Sequence, residues 1–188
     1  MIEERQSKEK PDILFQRLYQ EHSRQLYSYL LGRTGNPETS SDLLQDVFVK
    51  IWNRMDAVER ILPDERLYWM FSIASNRVKD YYRKTQNHKH AVTKLQMYAG
   101  EGASGDLSRV VAGKEQIREL ESHIRDLPEE LRSVLLMKTV GGMKSGVIGA
   151  ALGIPAGTVR YRISLARRLL ADKLGLLHNE KPERKEKV

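Results

Sequence analysis

The sequence predicts an all-α protein of two small helical domains joined by a flexible linker, the second domain containing a helix-turn-helix. Three observations carry this. Apolar residues recur at helical spacing in two blocks, residues 12–84 and 114–175, with no sustained alternation of the strand kind. The stretch between them, residues 85–113, centres on GEGASGD, whose glycines and small polar residues read as a tether. Near the end, GIPAGTVRYRISLARRLL sets a Gly-Ile-Pro break directly before a helix with four arginines.

The first block predicts three helices. In the first, near residues 12–31, Leu14, Leu18, Leu26 and Leu30 share one stripe. GRTGNPETSSD then interrupts the pattern, and Ser40 or Ser41 can cap the second helix. In that helix, DLLQDVFVKIWNRM, the residues Leu44, Val47, Phe48, Ile51 and Met55 fall inward. Asp42, Asp46 and Asn53 fall on the opposite side, flanked by Gln45 and Val49. Outward acids on a basic protein have two readings. They favour the helix macrodipole and solvate the surface, or they form a docking face for a protein partner.

AVERILPDERLYW reads as a loop, with Pro63 near the start of the third helix. In ERLYWMFSIASNRVKDYYRK the inward stripe is Leu67, Met70, Phe71, Ala74, Val78 and Tyr81. Trp69, Ser72, Asn76, Lys79 and Arg83 lie outward. An indole, an amide and two cations on one face can stack on bases, bond their edges and meet phosphates. The alternative is a boundary tryptophan beside a solvated basic face.

In the second block, LPEELRSVLLMKTVGG places Leu131, Val134, Leu135 and Lys138 at helical spacing and ends at Gly141-Gly142. A short helix, SGVIGAALG, comes next. Gly153-Ile154-Pro155 makes a tight turn into the last helix. There Val159, Ile163, Ala166 and Leu170 face inward, and Arg160, Tyr161, Ser164, Arg167 and Arg168 face out. Two helices around a short glycine-containing turn form the helix-turn-helix pattern, and the basic outer face suits a recognition helix. The alternative is an amphipathic helix with solvated arginines.

Composition narrows the partners. Among 188 residues, 32 Lys and Arg exceed 25 Asp and Glu, for a net charge of +7. That excess favours a polyanionic partner. There is no cysteine, which excludes disulfides, thiolate metal sites and thiol nucleophiles. Residues 1–11 and 176–188 read as polar tails. No apolar run is long enough to span a bilayer, so a cytoplasmic protein without direct membrane insertion is expected. His88 and His90 are spaced for a metal pair but have no evident third ligand, and no phosphate-cradling loop is present. Neither an enzyme nor a cofactor is expected.

SDLLQDVFVKIW, LYWMFSIASNRVKDYYRK and LPEELRSVLLMK with LGIPAGTVRYRISLAR, in that order, resemble a bacterial extracytoplasmic-function sigma factor of the sigma-70 family. The resemblance implies three partners: RNA polymerase core, promoter DNA and an anti-sigma factor. It implies polymerase contacts at Asp42, Gln45, Asp46 and Asn53. It implies minus-10 contacts at Trp69, Asn76, Lys79 and Arg83, with the loop 57–66 holding an unstacked base. It implies minus-35 contacts at Thr158, Arg160, Tyr161, Arg162, Ser164, Arg167 and Arg168. This sequence departs from the family where Val147-Ile148-Gly149 replaces the usual Glu-Ile-Ala, Tyr161 a common serine and Leu165 a frequent arginine. The rival reading is a helix-turn-helix transcriptional regulator that is not a polymerase subunit.

Overall fold

A computed structural model describes residues 10–93 and 112–176, with side chains described for residues 10–85 and 119–176. Those residues form eight helices and no strand. The expected tether lies largely outside the described residues. At both margins, helices reach into the interval 85–113 that the sequence assigns to it.

Helix α1 (Pro11–Thr34) begins with proline in its first turn, where the missing N–H costs nothing. It ends at Gly35, whose φ of 67° lets its N–H reach the Leu31 carbonyl at 2.8 Å. Helix α2 (Pro37–Trp52) begins earlier than its apolar stripe suggests. Asn36, not Ser40 or Ser41, is the cap: its side-chain oxygen accepts from the Thr39 N–H at 2.9 Å. Ser40 is buried inside the helix, donating to the Asn36 carbonyl at 2.6 Å. On the inward side Leu43 is buried, and Leu44 packs at the margin of the core.

The expected loop 57–66 is mostly helix, which corrects the sequence reading. Helix α3 (Met55–Arg60) buries Met55 and Val58, and α4 (Pro63–Thr93) starts two residues after Ile61. The apolar pair Met55 and Val58 at helical spacing is what folds this segment. Arg66 ties the junction by donating to the Ile61 carbonyl at 3.2 Å.

The second unit comprises α5 (Ala112–Arg125), α6 (Glu129–Thr139), α7 (Ser145–Leu152) and α8 (Ala156–Lys173). Its own cluster is small: Leu127, Leu131, Leu135, Ala166 and Leu170. The opposite face of α6 carries Val134, Leu136 and Met137, and these join the large core formed by α1, α2 and α4. Met143, Ile148, Val159 and Ile163 join it too. Helix α6 is therefore apolar on two sides, and one core runs through both units.

At the crossing of α1 and α6, Gly32 admits Leu136: a Cβ at residue 32 would lie 2.9 Å from Leu136 Cδ1. Gln25 donates to the Val140 carbonyl at 2.6 Å. Beside them Arg33 is 1% exposed, with its guanidinium donating to Tyr29, to Ser133 at 3.3 Å and to Glu129. The Tyr82 hydroxyl donates to the Arg33 carbonyl at 2.7 Å. Burial, the largest influence on this phenol, raises its pKa from the usual value, so it remains a donor at neutral pH.

Candidate protein and nucleic-acid interfaces

Along α2 and its C-cap Asn53, positions 42, 45 or 46, 49, and 52 or 53 fall three or four apart, so they form one stripe. Asp42, Gln45, Asp46 and Asn53 are all exposed. The structure adds apolar area to this acidic patch, with Val49 59% and Trp52 49% exposed. Trp52 is held edge-on against Phe15 at 5.0 Å between ring centroids, and Phe15 abuts Phe48. This mixed stripe suits protein recognition, because a rigid aromatic supplies area and flanking acids supply charge. The sequence reading counted the acids and missed Trp52. Its spacing of three from Val49 was the available signal.

On α4, Trp69, Ser72, Asn76, Lys79 and Arg83 recur at intervals of three and four and share one side. Asn76, Lys79 and Arg83 are exposed, and Arg83 pairs with Asp80 at 3.1 Å. Trp69 is half-buried against the core. The Ser72 hydroxyl turns back to the Trp69 carbonyl at 2.6 Å. The stripe does not face open solvent throughout. Trp69, Ser72 and Asn76 form one wall of a groove of roughly 640 Å³, and Val147, Ala150 and Ala151 of α7 form the other. Lys79 lies farther along, in a crevice shared with Glu129, Glu130 and Arg162.

The helix-turn-helix is α7 and α8. Gly153 takes φ of 69° at the turn, and the Ile154 N–H closes it on the Gly149 carbonyl at 3.0 Å. In α8 the buried residues are Val159, Ile163, Ala166 and Leu170, the inward set read from spacing. Arg160, Ser164, Arg167 and Arg168 are exposed, and Tyr161 is 67% exposed. Thr158 is half-buried. So is Arg162, which points toward the Glu129 crevice and away from Arg160.

A concavity of roughly 300 Å³ gathers Lys138, Arg160 and Arg167 with Ser145 and Ser164. Three cations and two hydroxyls, one of them that of Ser145 at the first position of α7, can hold a phosphate. Lys138 and Ser145 were not among the sequence-derived contacts. A lysine closing the apolar series Leu131, Val134 and Leu135 was the clue to the first, and nothing in the sequence marked the second.

His88 and His90 lie outside the residues whose side chains are described. Among the described residues, no group of three or more metal-ligating side chains occurs, and no helix is long and apolar enough to cross a membrane.

An aromatic-basic helix in one unit, a helix-turn-helix in the next and an exposed acidic-apolar stripe on α2 define a two-part helical protein with the build of a nucleic-acid binder. The family model for Sigma-70 region 2 matches residues 18–88, and that for Sigma-70, region 4 matches residues 117–170. The chain belongs to the extracytoplasmic-function sigma factors of the sigma-70 family.

It is 28% identical to the ECF RNA polymerase sigma factor SigE of Mycolicibacterium smegmatis, over 84% of this chain and 60% of that one. It is 26% identical to SigW of Bacillus subtilis, over 79% and 82%. It is 27% identical to the sigma-E factor of Escherichia coli, over 71% and 72%. The match thus spans less than two thirds of SigE and most of SigW. The fold is similar to that of RpoE solved with the anti-sigma factor NepR from Bartonella quintana, with TM-score 0.68, 18% identity and coverage of 87% and 98%. It is also similar to CnrH solved with the cytosolic domain of CnrY, with TM-score 0.63, 21% identity and coverage of 89% and 91%.

Proposed function

We propose that this chain binds RNA polymerase core and directs promoter-specific transcription initiation. The observation that carries this reading is the presence of three distinct surfaces on one chain. These are an acidic-apolar stripe on α2, an aromatic-amide-cation stripe on α4 and a basic recognition face on α8. In this reading Asp42, Gln45, Asp46 and Asn53 dock on polymerase, with Trp52 supplying buried area. Trp69, Asn76, Lys79 and Arg83 serve the minus-10 element. Thr158, Arg160, Tyr161, Arg162, Ser164, Arg167 and Arg168 serve the minus-35 element.

Each step follows from the chemistry of its surface. The indole and amide on α4 suit unstacked bases, which offer a π-face and unpaired edges. The exposed start of α8 suits the major groove, where an arginine bidentate to guanine gives about 1–3 kcal/mol of discrimination. Residues 12–84 and 114–175 act as two weak binders joined by residues 85–113, with residues 1–11 and 176–188 as tails. Docking one unit raises the effective concentration of the other at its own element. An anti-sigma factor is the proposed restraint, in line with the complex in which RpoE was solved with the anti-sigma factor NepR. The protein acts in the cytoplasm and catalyses no reaction itself.

A plain helix-turn-helix regulator would use α7 and α8 alone and leave the α2 stripe without a role. Co-elution with core polymerase and promoter-dependent run-off transcription separate the two. A sigma factor gives both, whereas a plain regulator binds duplex DNA and yields no run-off product with core.

A further inference from the structure

We propose that Tyr161 gives this chain a preference for thymine in the minus-35 element, with its phenol ring packed on the C5-methyl group of that base in the major groove. The inference rests on reading α8 as the minus-35 recognition helix.

The position of the ring is the first observation. Val159, Ile163, Ala166 and Leu170 are the buried stripe of α8. At about 100° per residue, Tyr161 falls almost straight across the helix from the middle of that stripe. It stands on the outermost line of α8, and it is 67% exposed. Gly157 and Arg168 lie close to the same line, one turn before it and two turns after. Among the described residues, no other ring packs on this phenol and no hydrogen bond holds its hydroxyl.

Access is the second. Long side chains on a helix lean toward its N-terminus, so a ring at 161 covers the turn that holds Gly157. A Cβ at residue 157 would meet only the Arg160 Nη2, at 3.9 Å. That turn puts no bulk between the ring and a duplex. The N-terminal part of a recognition helix is also the part that reaches the base edges.

Division of roles along α8 is the third. Arg160, Ser164 and Arg167 lie to one flank of Tyr161, around the concavity with Lys138 and Ser145 that suits a phosphate. Arg162 turns away to the Glu129 crevice. Tyr161 is the one aromatic residue of α8, and its ring offers apolar area where the flank offers charge. In the major groove the thymine C5-methyl is the apolar group that a base pair displays. A ring packed on that methyl shields it from water, and the other three bases have nothing to take its place. The serine common at this position in the family could bond a base edge but would cover no methyl group.

The test uses DNA that differs by one methyl group. Wild-type holoenzyme, the full chain on core polymerase, first selects minus-35 elements from a randomised promoter library by run-off transcription. Each thymine of the selected element, on either strand, is then replaced singly by deoxyuridine, which removes the methyl and keeps the base pair. One of these replacements should weaken holoenzyme binding about fourfold, the effect of one buried methyl group. Tyr161→Phe should keep that loss. Tyr161→Ser should bind the thymine and deoxyuridine promoters equally, with helix content confirmed by circular dichroism. Equal binding of every deoxyuridine promoter by the wild type overturns the inference. A loss that persists in Tyr161→Ser overturns it by assigning the methyl to another residue, and a loss abolished in Tyr161→Phe overturns it by moving the contact from the ring to the hydroxyl. A wild type that yields no run-off product overturns the sigma reading and the inference with it, whereas transcription without a methyl effect overturns the inference alone.

Discussion

Gly149 and Ile154 meet inside the helix-turn-helix: a Cβ on residue 149 would lie 2.6 Å from the Ile154 carbonyl oxygen. Glycine within a helix ordinarily costs about 1 kcal/mol against alanine. Here the clash is with backbone, which cannot swing aside, so it decides the sign. Gly149→Ala should destabilise the protein by about 1–3 kcal/mol. Gly146→Ala meets nothing within 4 Å and should be neutral or stabilising. Paired urea unfolding curves of the two variants check this.

The α2 stripe should respond to charge and area separately. Asp42→Lys with Asp46→Lys should weaken core binding by charge reversal, mostly through a slower on-rate and with a weakened or inverted salt dependence, since salt then screens repulsion in place of attraction. Trp52→Ala should weaken it chiefly through a faster off-rate, since buried aromatic area is lost. Surface plasmon resonance on immobilised core reads both rates. Unchanged rates with intact helix content would remove the stripe from the interface.

Asn76→Ala should reduce open-complex formation more than polymerase binding. Asn76 is exposed and lies in the groove with Trp69, away from the α2 stripe. Permanganate footprinting of the promoter bubble checks this. Full thymine reactivity alongside normal core affinity would count against the assignment.

Arg160 and Tyr161 stand near the start of α8, and Lys138 and Arg167 flank the same concavity as Arg160. Arg160→Ala should relax preference at particular minus-35 positions. Lys138→Ala and Arg167→Ala should weaken binding to all sequences alike and lower the salt slope by about one unit each. Holoenzyme binding to a randomised minus-35 element at two salt concentrations reads both effects. Altered preference in Arg167→Ala with none in Arg160→Ala would reverse the docking angle.

The His22 imidazole has its pKa lowered from the usual 6.5, chiefly by burial and against the raising effect of Glu21. Arg17 and Glu21 from α1 and Asp64 and Arg66 from α4 surround it. As pH falls, the unfolded chain takes up this proton before the folded one does. The contribution of His22 to stability is therefore fully present above pH 6.5 and is lost as pH falls through the lowered folded value. Melting temperature followed from pH 7.5 to 5 should fall less for His22→Gln than for the wild type.

Most of the fold is legible from periodicity. The four inward residues of α8 are the four buried ones, because an amphipathic helix on a small core has one apolar stripe. Where local chemistry competes with periodicity, the pattern misleads. Asn36 and Pro37 start α2 ahead of its apolar series, and Met55 with Val58 turns an expected loop into helix.

The faces of the candidate sites are legible for the same reason, but what stands opposite them is not. Leu136 and Met137 make α6 apolar on a second side, and no local pattern says which surface that side meets. Arg33 reads as a surface cation at a helix end. Only its distant neighbours, Ser133 and Glu129, explain its burial.

Promoter-directed initiation is tested most directly by transcription with core polymerase, reconstituted with this chain, on a library randomised across the promoter. A sigma factor with these three surfaces should yield transcripts enriched for two separated elements at a fixed spacing. Arg160→Ala should alter only the upstream element, and Asn76→Ala should lower the yield from all. No transcript above core alone, or enrichment of a single element, would contradict it.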